Sequence, residues 1–254
     1  MPRTMPTPPA PFRRVDPLAD TSARRIYAVL RAAIRRGELD STDALAEHDL
    51  VPSLRAGRNS LRAALQMLAS EGMVTRRQRV GTRVSGRPVL HIASDDDLPA
   101  DHLDRLRIEH LDQRLIPVPR SVRSRLDVEV HEVYRLEQIV YLDDEPIIWR
   151  FAFVADLAGD DKHRDIGANI VRSTGRPTAL SATFEAIYGV APETVESTVE
   201  AVAADDSTAE VLQVSPGAPV LLREIVMSVA GGRTVVLGYQ HMRADRIAFV
   251  NRQG

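Results

Sequence analysis

The sequence predicts an α+β protein built from two dissimilar domains, and three observations carry that prediction. Apolar residues recur with helical spacing between about residues 20 and 70, then with the two-residue spacing of strands beyond about residue 130. Charge divides along the same line. Residues 1–90 hold 16 Lys+Arg against 8 Asp+Glu, whereas residues 91–254 hold 17 against 27, although the net charge of the whole is only −2. At 254 residues and 44% apolar content the chain is long enough to bury two cores.

Residues 1–17 carry six prolines and no periodicity, and are expected to form a disordered tail. Asp20, Thr21 and Ser22 are good helix caps, and Ile26, Val29, Leu30, Ala33 and Ile34 then follow on one stripe until Gly37. A second helical stretch falls within Asp43 to Leu54, with Leu45, Leu50 and Leu54 facing the core. Pro52 removes a donor there, so a break or kink is expected near Val51.

The third helix is the most informative. Leu61, Ala64, Leu65 and Leu68 line one side of Arg58–Leu68, while Arg58, Asn59, Arg62 and Gln66 fall on the other. Arginines four apart stand one turn above each other and can face a single groove or a pair of phosphates. After Gly72, the runs Val74–Arg77 and Thr82–Ser85 flank Gln78–Gly81, a hairpin whose tip carries Arg77, Arg79 and Arg83. Three helices followed by a basic hairpin describe a winged helix-turn-helix, which makes double-stranded DNA the expected partner.

About 60 residues in this region resemble the DNA-binding domain of GntR-type bacterial transcription regulators. The resemblance rests on Ile26-Tyr27, Leu30-Arg31, Ile34 and Gly37-Glu38-Leu39, then Leu45, Glu47 and Leu50. It continues through Arg58, Ser60-Leu61-Arg62, Ala64-Leu65, Leu68, Glu71-Gly72-Met73-Val74 and Gly81-Thr82-x-Val84. It implies that Arg58, Ser60 and Arg62 contact phosphates and base edges, and that Gly81 lets the wing backbone enter the minor groove beside Arg79, Thr82 and Arg83. Arginine can grip guanine O6 and N7 bidentately, and glycine permits close approach. The sequence departs from the family in three places. Gly57 replaces a capping Ser, Leu45-Ala46-Glu47 is one residue short, and His48 occupies the position of an arginine. The alternative for Arg62 is a surface ion pair with an acidic neighbour.

Residues 18–85 are thus assigned to the DNA-binding domain and residues 86–100 to a linker containing Gly86, Pro88 and Asp95-Asp96-Asp97. Residues 101–250 form the second domain. There, strands are expected at Val133–Leu142 and Ile147–Ala155 around the connection Asp143–Pro146, with the face of Ile147, Trp149, Phe151 and Phe153 packing a core. A helix follows at Leu180–Tyr188, closed by Gly189, then a strand at Thr194–Ala203 and a helix at Ser207–Val214 capped by Asp206 or Ser207. Val220–Val229 and Thr234–Met242 complete a mostly antiparallel sheet with helices, turning at Gly231-Gly232.

This half resembles the UTRA domain of the HutC subfamily of those regulators. Leu136-Glu137, Asp144-Glu145-Pro146-Ile147, Phe184-Glu185, Tyr188-Gly189, Leu212-x-Val214, Gly217-Ala218-Pro219-Val220-Leu221, Gly232-Arg233 and Asp245-Arg246 carry the resemblance. It implies a chorismate lyase-like fold that binds a small-molecule effector and forms a homodimer. Sugar-phosphate-sensing relatives place two arginines on the first long strand and a glutamate on the next, and here those positions hold Gln138, Val140 and Arg150. A dianionic phosphate would lack its bidentate partners. The expected effector is therefore neutral or carries one carboxylate or carbonyl, and is set against Tyr141, Trp149 or Tyr239. Ser181, Arg223 and His241 complete the candidate effector residues. In the alternative, Gln138 and Arg150 satisfy each other.

The sequence has no cysteine, its seven histidines are scattered, and no apolar run approaches a bilayer span. It is read as a cytoplasmic protein that needs no metal or cofactor and is not an enzyme. The expected function is that of a ligand-responsive repressor on a near-palindromic operator. Two alternatives remain open: a DNA-binding dimer with a vestigial pocket, and a chorismate lyase-like enzyme, for which Arg150, Arg223 and His241 are the candidates.

Overall fold

The computed structural model describes residues 23–39, 44–77, 81–85, 89–93, 98, 100–126, 131–156, 166–173 and 177–250. The chain divides into two compact units after Pro88.

In the first unit, α1 (Ala23–Arg35) buries Ile26 and Leu30 against α3 (Arg58–Ser70), whose Leu61, Ala64, Leu65 and Leu68 are all 0% exposed. Val29, expected in the α1 stripe, is 54% exposed, because the contact with α3 needs only the Ile26–Leu30 row. Gly37 ends α1 at φ +73°, with the Glu38 amide donating to Ala33 O at 2.9 Å. The caps read at residues 20–22 lie outside the described residues. The far end of α3 is tied to α1 by Glu71, which accepts from the Tyr27 hydroxyl and from Arg31 Nε at 3.3 Å.

The middle helix differs from expectation at both ends. α2 spans only Glu47–Ser53. It starts late because Ala44 bridges to Arg83 and the Leu45 amide donates to Thr82 O at 2.8 Å, so this backbone is already satisfied by the hairpin. It does not break before Pro52. The donor missing there costs one bond in the last turn of a short helix, which closes as Leu54 N–H reaches Leu50 O at 3.0 Å and Ala56 N–H reaches Val51 O at 3.0 Å. The hairpin of β1 (Val74–Arg77) and β2 (Gly81–Val84) pairs Val74 with Val84 and Arg77 with Gly81, and its two valines close the core.

The second unit is an antiparallel six-stranded sheet in the order β4-β5-β6-β9-β8-β7. Its strands are β4 (Leu106–Pro117), β5 (Glu132–Leu142), β6 (Glu145–Ala155), β7 (Thr194–Ala203), β8 (Pro219–Val229) and β9 (Arg233–Arg243). A short helix, α4 (Arg120–Arg123), follows β4, and helices α5 (Ile166–Ser173) and α6 (Leu180–Tyr188) pack on the face that carries Leu136, Val154, Ile225 and Met227. The fully buried Tyr188 locks α6 down by donating its hydroxyl to Ala155 O at 2.9 Å and Val235 O at 3.2 Å. Helix α7 (Asp206–Leu212) packs against Val220 and Trp149 on the opposite face. Its cap is Asp205, whose Oδ1 accepts from the Thr208 amide at 2.7 Å, in place of the expected Asp206 or Ser207.

Three further features depart from the sequence reading. Residues 90–93, expected in a loop, form β3 (Leu90–Ala93), which pairs in parallel with β10 (Ile247–Val250). β4 was not anticipated, since a bulge between His110 and Asp112 interrupts its alternation. Finally, Trp149, Phe151 and Phe153 are only half-buried, while Ile148 and Val154 on the other side of β6 are buried at 0% and 2% exposure.

Candidate functional site

Two groups of residues stand out, one in each unit. On α3, burial of the four apolar residues forces Arg58, Asn59, Arg62 and Gln66 outward, and all four are exposed. Ser60, half-buried, lies near Gly57, where a Cβ would stand 3.9 Å from the Ser60 Oγ. Gly57 caps α3 without a side-chain bond. Arg62 is held by Glu47 of α2, Nε to Oε2 2.8 Å, and Arg76 of β1 reaches the other oxygen of Glu47 at 3.6 Å. The ion pair named as the alternative for Arg62 is therefore present in the protein without DNA. His48 is exposed on α2 and pairs with Asp49 at 3.1 Å.

In the wing, Gly81 has φ +96°, a conformation that favours glycine, and Gly81 and Arg83 are exposed. Thr82 corrects the sequence reading. The alternation of β2 turns it inward to 8% exposure, and its carbonyl is occupied by Leu45, so its side chain serves packing. Arg79 lies outside the described residues. The exposed cations Arg58, Arg62, Arg76 and Arg83 thus belong to one small unit whose apolar interior orients them outward.

The second group lines a cavity of about 90 Å³ between the sheet and α6. Its walls are apolar: Leu136, Val154, Ile225 and Val236 from the sheet, and Leu180, Phe184 and Ile187 from α6. Polar side chains enter mainly through one row across the strands, where Gln138 pairs with Arg150 and Arg150 with Gln240. Arg150 Nε donates to Gln138 Oε1 at 2.8 Å, and Gln138 Nε2 lies 3.3 Å from His110 Nδ1. Gln240, 3% exposed, leaves its Oε1 buried without a hydrogen-bond partner. Gly238 lies two residues before it and keeps the floor low.

Of the effector residues expected from sequence, Gln138, Arg150 and Tyr239 line the cavity, and the others do not. Val140 is 0% exposed in a separate core with Leu142 and Ile148. Trp149 and His241 are each one residue out of phase with Arg150 and Gln240, and strand alternation sends them to the opposite face. There their rings stack at 5.2 Å, and the indole donates to Glu137 Oε1 at 3.0 Å. Burial holds the His241 imidazole below its ordinary pKa. Arg223, in line with Gln240, is 0% exposed and donates to Ser197 Oγ at 2.6 Å, outside the cavity. Ser181 faces outward on α6, and Tyr141 lies under the Arg107 guanidinium at 3.9 Å.

Tyr239 contributes less than its position suggests. Its ring stacks on Phe151 at 5.1 Å, and its hydroxyl is 3.1 Å from Arg125 Nη1. Burial raises its pKa, and the Arg125 charge opposes that shift. Arg125 also chelates Glu224, and this hydrogen bond lowers the Glu224 pKa and raises that of Arg125. The sequence reading missed Gln240, Gly238 and the α6 residues. One signal was available, a glutamine two residues beyond a glycine inside the otherwise apolar run of β9.

Among the described residues no group of three His, Asp or Glu side chains is arranged to hold a metal, and no helix is long and apolar enough to cross a membrane.

Comparison with known proteins agrees with this division. The gntR family of bacterial regulatory proteins matches residues 22–84, and the UTRA domain matches residues 103–248. An uncharacterized HTH-type transcriptional regulator in an unstable DNA locus of Streptomyces ambofaciens is 29% identical over 130 residues, which span 46% of this chain and 52% of that relative. The aligned part is thus about half the length of each. The crystal structure of PhnF from Mycobacterium smegmatis is similar with a TM-score of 0.59 at 17% identity, covering 90% of this chain and 99% of that one. That of YydK from Bacillus subtilis gives 0.52 at 12% identity, covering 91% and 99%. These likenesses bear on the fold, whereas the two matched segments bear on family. The chain therefore belongs to the GntR family of bacterial transcription regulators, in the branch that joins a helix-turn-helix DNA-binding domain to a UTRA effector domain.

Proposed function

We propose that the protein is a homodimeric repressor, released from a near-palindromic operator when a small non-phosphorylated effector enters the cavity over Gln138, Arg150 and Gln240. The observation that supports this most directly is the outward face of α3, where Arg58 and Arg62 stand one turn apart beside the Gly81–Arg83 edge of the wing. Such a helix suits the major groove, with a wing against the adjacent backbone. A two-fold dimer places two such helices on two half-sites, which is the reason for expecting operator symmetry. The effector acts by binding the released form more tightly than the DNA-bound form, since a ligand shifts an equilibrium only through that difference.

The cavity favours this reading over one in which the second domain only dimerises, because it is an apolar chamber whose lining brings together the polar row of Gln138, Arg150 and Gln240. The enzymatic alternative loses support for a geometric reason. Arg223 and His241 do not converge with Arg150, the first being engaged with Ser197 outside the cavity and the second lying on the far face.

The test is selection of genomic fragments by the full-length protein, followed by fluorescence anisotropy on the recovered sequence. Arg58→Ala is expected to weaken binding by about 1–3 kcal/mol and to relax sequence preference at one position of each half-site. Failure to retain any fragment at low salt, where phosphate contacts are strongest, would overturn the proposal.

A further inference from the structure

We infer that the ligand of this cavity is an uncharged, apolar molecule the size of a single six-membered ring. The inference rests on the reading of the cavity as the effector site and names the class of its occupant. The polar groups in the lining are already employed within the protein. Arg150 Nε donates to Gln138 Oε1 at 2.8 Å, and the Gln138 amide lies 3.3 Å from His110 Nδ1, so neither side chain is free. Gln240 Oε1 is enclosed by protein and is not presented to an occupant. On the roof, the Thr183 hydroxyl is engaged by Thr178 Oγ1 at 2.7 Å and Ala179 O at 3.1 Å. A charged ligand would have to draw Arg150 away from its present partners or enter apolar surroundings uncompensated, and either course is costlier than burying an apolar group.

The floor has the shape of a notch. Leu136, Ala152, Gly238 and Ile225 are successive cross-strand partners on β5, β6, β9 and β8, and all four line the cavity. The two smallest residues stand side by side in the middle of that row, with large aliphatic ones at both ends. Leu136 and Ile225 are three strand spacings apart, roughly 14 Å between backbones, and their side chains narrow that span. Along the strands, the partners Val154 and Val236 close the notch on one side and the polar row closes it on the other, while α6 roofs it with Phe184. The cavity volume of about 90 Å³ compares with about 150 Å³ for an apolar cavity that stays dry and binds benzene. One ring therefore fills the notch, and nothing larger has room.

Benzene is the simplest probe of this class, and three relatives each add one feature that the cavity should refuse. Benzoate adds a negative charge, benzylammonium a positive one, and mesitylene three methyl groups around the ring. In calorimetric titration of the full-length protein, benzene is expected to bind at least tenfold more tightly than any of the three. Filling the notch from its floor should remove the site. A Cβ at Gly238 meets Ile225 Cβ at 3.6 Å, an ordinary contact, so Gly238→Val occupies the notch without forcing the strands apart. Ala152→Val fills it from the facing strand. Each variant is expected to weaken benzene binding at least tenfold, and a cooperative unfolding transition followed by Trp149 shows which of them is folded.

No binding of benzene by the parent protein, benzoate, benzylammonium or mesitylene binding as tightly as benzene, or benzene binding undiminished in a folded notch variant would each overturn the inference. Operator retention measured on the same preparation tests the reading beneath it. Retention that falls as benzene saturates the protein supports both, whereas unchanged retention with benzene bound would overturn the effector reading alone and leave the ligand class standing.

Discussion

Glu47 on α2 and Arg62 on α3 are joined by a 2.8 Å ion pair, with Arg76 of the wing reaching the same carboxylate at 3.6 Å. One acidic side chain thus holds two exposed cations that, under the proposed function, would face DNA. It orients them before binding, and it also competes with the phosphates they would meet. Glu47→Gln is expected to raise DNA affinity about three- to tenfold by ending that competition, with a change in folding stability below about 1 kcal/mol, as for an exposed pair. Anisotropy titrations at two salt concentrations check this. A loss of affinity instead would mean that the carboxylate's orienting role outweighs its competition.

Leu65 is 0% exposed at the centre of the first unit, and Leu65→Ala should destabilise that unit by about 2–5 kcal/mol. That is a large share of what a small domain has. Trp149, the single tryptophan, lies in the second unit, so its fluorescence does not follow this loss. Far-UV circular dichroism should show an early helical melt with no matching tryptophan transition, and DNA binding should vanish.

The chelation of Glu224 by Arg125 predicts an acid limb of stability. The hydrogen bond from Arg125 holds the folded pKa of Glu224 below its ordinary 4.5. A carboxyl with a depressed folded pKa contributes stability that is fully present above its unfolded value and lost as pH falls through the folded value. Stability of the second unit should therefore drop below about pH 4.5, and Glu224→Gln should flatten that part of the curve. Urea denaturation followed by Trp149 between pH 3 and 6 measures it. An unchanged acid limb in the variant would assign the effect to other carboxylates.

Much of this organisation was legible in the sequence where one element satisfies itself. The Leu61, Ala64, Leu65, Leu68 stripe, the bounds of α6 and the β8–β9 pair all follow from local spacing and from glycines at the ends. Legibility failed where a distant partner decides. Four residues of alternation at Leu90–Ala93 become a strand only because β10 lies beside them, and α2 starts late only because β2 claims the backbone of residues 44–45. The cavity shows the same limit. Gln138 and Arg150 were found on adjoining strands, but Gln240 reaches their row through the register of β9, and Trp149 and His241 were assigned without regard to the alternation that turns them away.

The pairing of β3 with β10 has a consequence for signalling. β9 carries Gly238 and Gln240, then after residues 244–246 the chain becomes β10, the neighbour of the first strand that follows the DNA-binding unit. Glu145 fastens this corner by accepting from Arg243 at 2.7 Å and Arg246 at 2.6 Å, both nearly enclosed. The strand that contributes Gly238 and Gln240 to the cavity lining and the first strand after the DNA-binding unit are therefore moored to one quay. Ending the chain after Arg246 removes the mooring but spares all six strands of the main sheet. Under the proposed function the shortened protein should still bind its effector and still bind its operator, yet the first event should no longer alter the second. Anisotropy of the operator complex during an effector titration would reveal this as a flat line.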